Sequence, residues 1–254
     1  MKNLSQKIII ANWKMNLDYK SSIALARGLF KAFDKKFITN KIVVLPDFLS
    51  LAEICKDFRS KNISYGAQDI SPFSLGAYTG EISLESLKYL GCKYVLLGHS
   101  ERREYFSDEK SIALKVENVI KNSDIIPIIC VGENWSQKRA GKTWSIVEAQ
   151  LKEAFSKIKN LRGKTIIIAY EPVWAIGSGK VVSTTDVSIV HGKIKEFISK
   201  RFKGFLPEEL GIVYGGSVGL DSYQDFSENN DVSGLLVGGA SLKISDFSKI
   251  INNF

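Results

Sequence analysis

Eight short apolar runs rich in β-branched residues recur about every 32 residues along the 254-residue chain, and segments of helical apolar spacing lie between them. Together these two observations predict an α/β protein, a single-domain (β/α)8 barrel over residues 1–254. Near-continuous apolar strands alternating with amphipathic helices fit a parallel sheet covered by helices, because both faces of each strand are then buried. A doubly wound open sheet is the alternative, although no GxGxxG follows the first run.

In chain order, the runs cover residues 7–11, 41–45, 63–66, 94–97, 125–131, 165–170, 211–214 and 234–237. Ile23, Leu25, Ala26, Leu29, Phe30 and Phe33 mark a helix after the first. Ile112, Leu114, Val116, Val119 and Ile120 mark one before the fifth. Ile146, Val147, Leu151, Ala154, Phe155 and Ile158 mark one before the sixth, and Val187, Val190, Ile194, Phe197 and Ile198 one before the seventh. No linker and no low-complexity stretch interrupts the series.

Composition narrows the function classes. Lys plus Arg total 35 against 27 Asp plus Glu, a formal charge of +8. The basic residues are 28 Lys and only 7 Arg, spread along the chain without interleaved aromatics. That pattern describes a solvated surface rather than a nucleic-acid site, and a positive field also attracts a small anionic substrate. No apolar run approaches the ~18 residues of a membrane span. The N-terminal apolar stretch is only residues 8–11, too short for a signal peptide core, so the expected location is cytoplasmic. Cys55, Cys92 and Cys130 are odd in number, far apart and without a CxxC, so neither a disulfide framework nor a zinc site is expected.

In a barrel of this kind, functional residues gather at the C-terminal ends of strands. The first run ends in Asn12-Trp13-Lys14, the fourth in Gly98-His99-Ser100-Glu101-Arg102-Arg103, and the sixth in Glu171-Pro172-Val173-Trp174. The seventh ends in Gly215-Gly216-Ser217 and the eighth in Gly238-Gly239. Each has a plainer reading taken singly: Lys14 a solvated turn residue, His99 a satisfied core histidine, Glu171 a turn opener, the glycine pairs tight turns. Their shared position favours function. His99 and Glu171 form a candidate acid–base pair for proton transfer beside a carbonyl. The glycine pairs suit phosphate, whose oxygens approach backbone N–H groups where no Cβ intervenes. Only two histidines are present, and HExxH is absent, which leaves no histidine-based metal site. His191 falls in a helical pattern and reads as structural.

Asn12-Trp13-Lys14-Met15-Asn16, the 98–103 segment, Ala169-Tyr170-Glu171-Pro172-Val173-Trp174-Ala175-Ile176-Gly177, Tyr214-Gly215-Gly216-Ser217-Val218 and Leu236-Val237-Gly238-Gly239-Ala240 resemble the triosephosphate isomerase family. The likeness runs through the whole chain, in order. It implies a TIM barrel and interconversion of dihydroxyacetone phosphate and D-glyceraldehyde 3-phosphate through an enediol(ate), in glycolysis and gluconeogenesis, with no cofactor and no metal. In that family a carboxylate base and a neutral histidine electrophile are the acting pair. The resemblance thus implies Glu171 as base, His99 as electrophile, Lys14 as positive charge beside Asn12, and Glu101 as partner of Lys14. It implies Gly177, Ser217, Gly238 and Gly239 as phosphate ligands, and a lid from Pro172 to Lys180. Ser178 stands in the lid where Thr is more usual, and Pro46-Asp47-Phe48 departs from a more usual Pro-Pro run.

The loop from Ile70 to Gly80 carries no charge yet holds Phe73, Leu75 and Tyr78, so a partner copy is expected to cover it. The resemblance points the same way, to a homodimer with Thr79 reaching the neighbouring subunit; dimer against tetramer stays open. Two rival readings remain. A Schiff-base aldolase would use Lys14, the only strand-end lysine, and borohydride trapping would reveal it. A nucleic-acid-binding protein would show salt-dependent affinity.

Overall fold

The computed structural model describes residues 6–177 and 182–254. Eight parallel strands close on themselves in sequence order. They are β1 (Ile8–Asn12), β2 (Lys41–Leu45), β3 (Ile63–Ala67), β4 (Tyr94–Leu97), β5 (Ile126–Val131), β6 (Ile166–Tyr170), β7 (Leu210–Tyr214) and β8 (Gly234–Val237). Closure is made by β8 against β1, with Ile8 opposite Gly234 and Ala11 opposite Val237. The expected runs match within one residue at each end. At the first run Lys7 lies just outside the strand; its carbonyl accepts the Lys41 N–H at 2.8 Å, and its ammonium donates to the carbonyls of Asn229 and Val232.

Side chains alternate along every strand, and the alternation sorts the core into two layers. Ile8, Ile10, Val43, Leu45, Tyr94, Leu96, Ile126, Ile128, Ile167, Ala169, Val213 and Leu236 fill the barrel interior. Ile9, Ala11, Ile42, Val44, Val95, Leu97, Ile129, Ile168, Ile212 and Leu235 point outward into the layer shared with the helices. Both faces are dry, which is why the strands read as unbroken apolar runs rather than as alternating ones.

The covering helices are α1 (Tyr19–Phe33), α2 (Phe48–Asp57), α3 (Leu84–Leu90), α4 (Ser100–Phe106), α5 (Ile112–Asn122), α6 (Trp135–Arg139), α7 (Thr143–Ala154), α8 (Thr184–Arg201), α9 (Gln224–Ser227) and α10 (Ile244–Asn253). The four expected from apolar spacing are α1, α5, α7 and α8. The helix expected to reach Ile158 stops at Ala154, and Phe155 and Ile158 are buried from the turn that follows. Side-chain caps start three of the long helices: Asp18 for α1, Asp47 for α2 and Ser183 for α8. Asp47 also accepts from the Ser22 hydroxyl at 2.8 Å, so the residue in place of a second proline ties α1 to α2.

Candidate active site

A cavity of about 300 Å³ opens at the C-terminal ends of the strands. Asn12, Lys14, His99, Glu171, Gly177, Ser217, Gly238 and Gly239 all line it. Glu101 stands behind Lys14, with Oε1 2.5 Å from the ammonium. Every site residue expected from the sequence is therefore in one place.

Lys14 is held by its backbone. Its φ is 54°, the left-handed region that costs a non-glycine residue about 1–3 kcal/mol. Two hydrogen bonds hold it there, and a third anchors the Gln68 side chain that makes one of them. The Lys14 N–H donates to Asn12 Oδ1 at 3.0 Å, and the Gln68 amide donates to the carbonyls of Lys14 and Leu45 at 2.9 and 3.0 Å. The ammonium is thereby fixed over the cavity with Glu101 as its counter-charge.

His99 caps α4 with its own ring: Nδ1 accepts the Glu101 backbone N–H at 3.3 Å. A ring that accepts at Nδ1 carries its proton on Nε2 and is neutral. Nε2 faces Glu171 Oε1 at 3.2 Å. Burial pushes the His99 pKa down, but the Glu171 carboxylate, its hydrogen bond and Glu101 outweigh burial and the net shift is upward.

Glu171 is buried. Burial raises its pKa, while His99, the Cys130 thiol and Lys14 lower it further, and it is held below the usual carboxylate range. Oε1 is engaged by His99; Oε2 is buried, with no hydrogen-bond partner among the described residues. Two glycines on neighbouring strands make room for this residue. A Cβ on Gly132 would fall 1.7 Å from the Glu171 carbonyl oxygen, and one on Gly215 would fall 2.9 Å from Glu171 Cγ.

After Glu171 the chain is moored to a second buried acid. Glu133 is fully buried, and its Oε1 accepts from Trp174 Nε1 at 2.9 Å and its Oε2 from the Tyr170 hydroxyl at 3.2 Å. Its carbonyl accepts the Val173 N–H at 3.0 Å. Trp174 also packs on Trp135, ring centres 5.3 Å apart. The chain then reaches Gly177 with φ of 65°, a glycine conformation. The remainder of the expected lid, Ser178, Gly179 and Lys180, lies outside the described residues.

Gln68, Gly132 and Glu133 were not among the expected site residues. Each directly follows β3 or β5, so the strand-end rule applied to those two strands would have found them. Arg103 was visible only as part of a motif; its guanidinium donates to the carbonyls of Gly98 and Cys130, at 2.7 and 3.0 Å, and joins the ends of β4 and β5. His191 is buried outside the cavity, its Nδ1 2.8 Å from the Asp231 carbonyl, as a structural residue should be.

Comparison with known proteins agrees with this geometry. Residues 7–254 match the family model described as triosephosphate isomerase. A protein of that name from Dictyoglomus thermophilum is 40% identical over 253 residues, covering 98% of this chain and all of the relative, 100%. Relatives of the same name from Thermoanaerobacter sp. (strain X514) and Rhodopirellula baltica are 39% and 36% identical over 249 residues, each covering 98% of this chain and 100% and 98% of their own length. With the family model spanning nearly all of a closed eight-stranded barrel, this chain belongs to the triosephosphate isomerase family.

Proposed function

We propose that this chain, as one catalytic barrel over residues 1–254, interconverts dihydroxyacetone phosphate and D-glyceraldehyde 3-phosphate by proton transfer through an enediol(ate). The observation that carries the reading is the buried Glu171–His99 pair, 3.2 Å apart, in a cavity whose far wall is glycine backbone. A Glu171 carboxylate oxygen takes a proton from the carbon beside the carbonyl. The electron pair moves onto the carbonyl oxygen, which receives the His99 Nε2–H and lies near the Lys14 charge. Glu171 then returns the proton to the adjacent carbon, while the hydroxyl proton of the other oxygen passes back to His99 and that oxygen becomes the new carbonyl. A positioned base supplies ~10²–10⁴-fold in rate, and fixed donors to the enediolate oxygen supply a comparable or larger factor. The Lys14–Glu101 ion pair keeps Lys14 as a charge rather than a nucleophile, which favours this reading over a Schiff base.

Gly177, Ser217, Gly238 and Gly239 are assigned to the phosphate, with backbone N–H groups as donors. The assembly is a homodimer through the loop from Ile70 to Gly80, where Phe73 and Tyr78 stack at 4.4 Å and, with Leu75, remain exposed. The location is cytoplasmic; among the described residues no helix is long and apolar enough to cross a membrane. Sedimentation as a stable monomer at micromolar concentration would contradict the dimer. The activity is tested by a coupled assay with glyceraldehyde 3-phosphate, comparing the wild type with Glu171→Gln. Turnover is expected in the wild type, and a kcat at least ~10²-fold lower in the variant, because an amide accepts no proton from carbon. Near-normal turnover in Glu171→Gln would overturn the assignment.

A further inference from the structure

Cys55 and Cys92 are 37 positions apart in sequence, yet their sulfurs meet at 4.0 Å. Cys55 sits in the last turn of α2, and Cys92 lies between α3 and β4. They meet at the N-terminal ends of β3 and β4, the opposite end of the barrel from the active-site cavity. A second cavity of about 310 Å³ opens there, and Cys55, Arg59 and Lys93 line it, whereas Cys92 does not. Both cysteines are buried, but Cys55 borders a cavity with two cations on its walls and Cys92 does not.

We propose that Cys55 and Cys92 are a peroxide-reactive dithiol, in which Cys55 is oxidised first and Cys92 closes a reversible disulfide. The Cys55 thiolate attacks one oxygen of a hydroperoxide. The O–O bond breaks, the second oxygen leaves as hydroxide and takes up the thiol proton to become water, and Cys55 is left as a sulfenic acid. The Cys92 sulfur then attacks the Cys55 sulfur, the S–O bond breaks, and a second water leaves with the Cys92 proton. For hydrogen peroxide the balance is two thiols oxidised by two electrons and one peroxide reduced to two waters. The electrostatics give the same order of events. Contact with the Cys92 sulfur and the Arg59 charge hold the Cys55 pKa down against burial. The same contact and burial push Cys92 up. Closing the bond asks about 2 Å of the two side chains. Cys130 is the internal control: it is buried against Glu171, and burial holds its thiol protonated.

The test treats the whole protein with hydrogen peroxide, blocks remaining thiols with a maleimide, and maps peptides by mass. Expected is a Cys55–Cys92 linked peptide about 2 Da lighter than the two thiols, with Cys130 blocked by maleimide, and full reversal by dithiothreitol. In Cys92→Ala, dimedone should trap a sulfenic acid at Cys55; in Cys55→Ala, Cys92 should stay unlabelled. The proposal is overturned if peroxide leaves both thiols free, carries Cys55 to a sulfinic acid without a linked peptide, or reacts first at Cys92 or Cys130. If either variant fails to fold, the wild-type peptide map decides alone.

Discussion

Gly132 and Glu171 are in backbone contact: a Cβ on Gly132 would come within 1.7 Å of the Glu171 carbonyl oxygen and 2.5 Å of its carbonyl carbon. The end of β5 is thus pressed against the residue that opens the loop after β6. The Glu171 N–H completes the contact by donating to the Val131 carbonyl at 2.8 Å. The catalytic carboxylate is positioned by its main chain before its side chain meets His99.

Gly132→Ala is therefore expected to displace Glu171 rather than only to crowd it. Overpacking of this kind costs about 1–3 kcal/mol in stability, and a 1 Å displacement of a reacting group costs on the order of 10²-fold in rate. Steady-state kinetics on folded variant should show the loss in kcat. A variant with wild-type kcat would show that the base is positioned from elsewhere.

Behind the site, Lys115 is buried between two carboxylates, 2.7 Å from Asp69 and 2.7 Å from Asp108, with Arg102 also 2.8 Å from Asp69. Burial pushes Asp69 up to about 6 even with Lys115 beside it. Lys115→Met removes the most buried cation and leaves the carboxylates under-compensated, so a loss of about 3–5 kcal/mol is expected. Urea denaturation measures it; a change under about 1 kcal/mol, the scale of an exposed pair, would place the cluster's energy elsewhere.

The barrel and its active end were legible because their signals are local. Apolar runs mark strands, and Lys14, His99 and Glu171 each follow one directly. Lys115 was not legible for the opposite reason, and neither were the partners that Gln68 and Glu133 take up. Gln68 serves Lys14 from 54 residues away, and Lys115 serves Asp69 from 46. Pairings of that separation leave no periodicity and exist only once the barrel closes. The meeting of Cys55 and Cys92 is hidden in the same way.

His191 makes stability depend on pH. It is fully buried, its Nδ1 is engaged by the Asp231 carbonyl, its Nε2 has no partner among the described residues, and burial pushes its pKa down to about 4. The folded pKa lies below the unfolded value of about 6.5, so the contribution is fully present above pH ~6.5 and is lost as pH falls toward ~4. The size is about 3 kcal/mol, at 1.36 kcal/mol per pKa unit. Denaturation curves should show this loss between about pH 6.5 and 4 in the wild type, and a flatter dependence in His191→Gln. Equal pH dependence in both proteins would assign the effect to other groups.

Proton abstraction by Glu171 is the centre of the account, and it is read directly by carrying out the reaction in deuterium oxide. Dihydroxyacetone phosphate incubated with the enzyme should gain deuterium at the carbon beside its carbonyl, followed by proton NMR, because a proton held on a carboxylate exchanges with solvent. Uptake should fall by at least ~10²-fold in Glu171→Gln, in step with isomerisation. Isomerisation with no deuterium in either triose phosphate, or undiminished uptake in the variant, would contradict an enediol(ate) formed by Glu171.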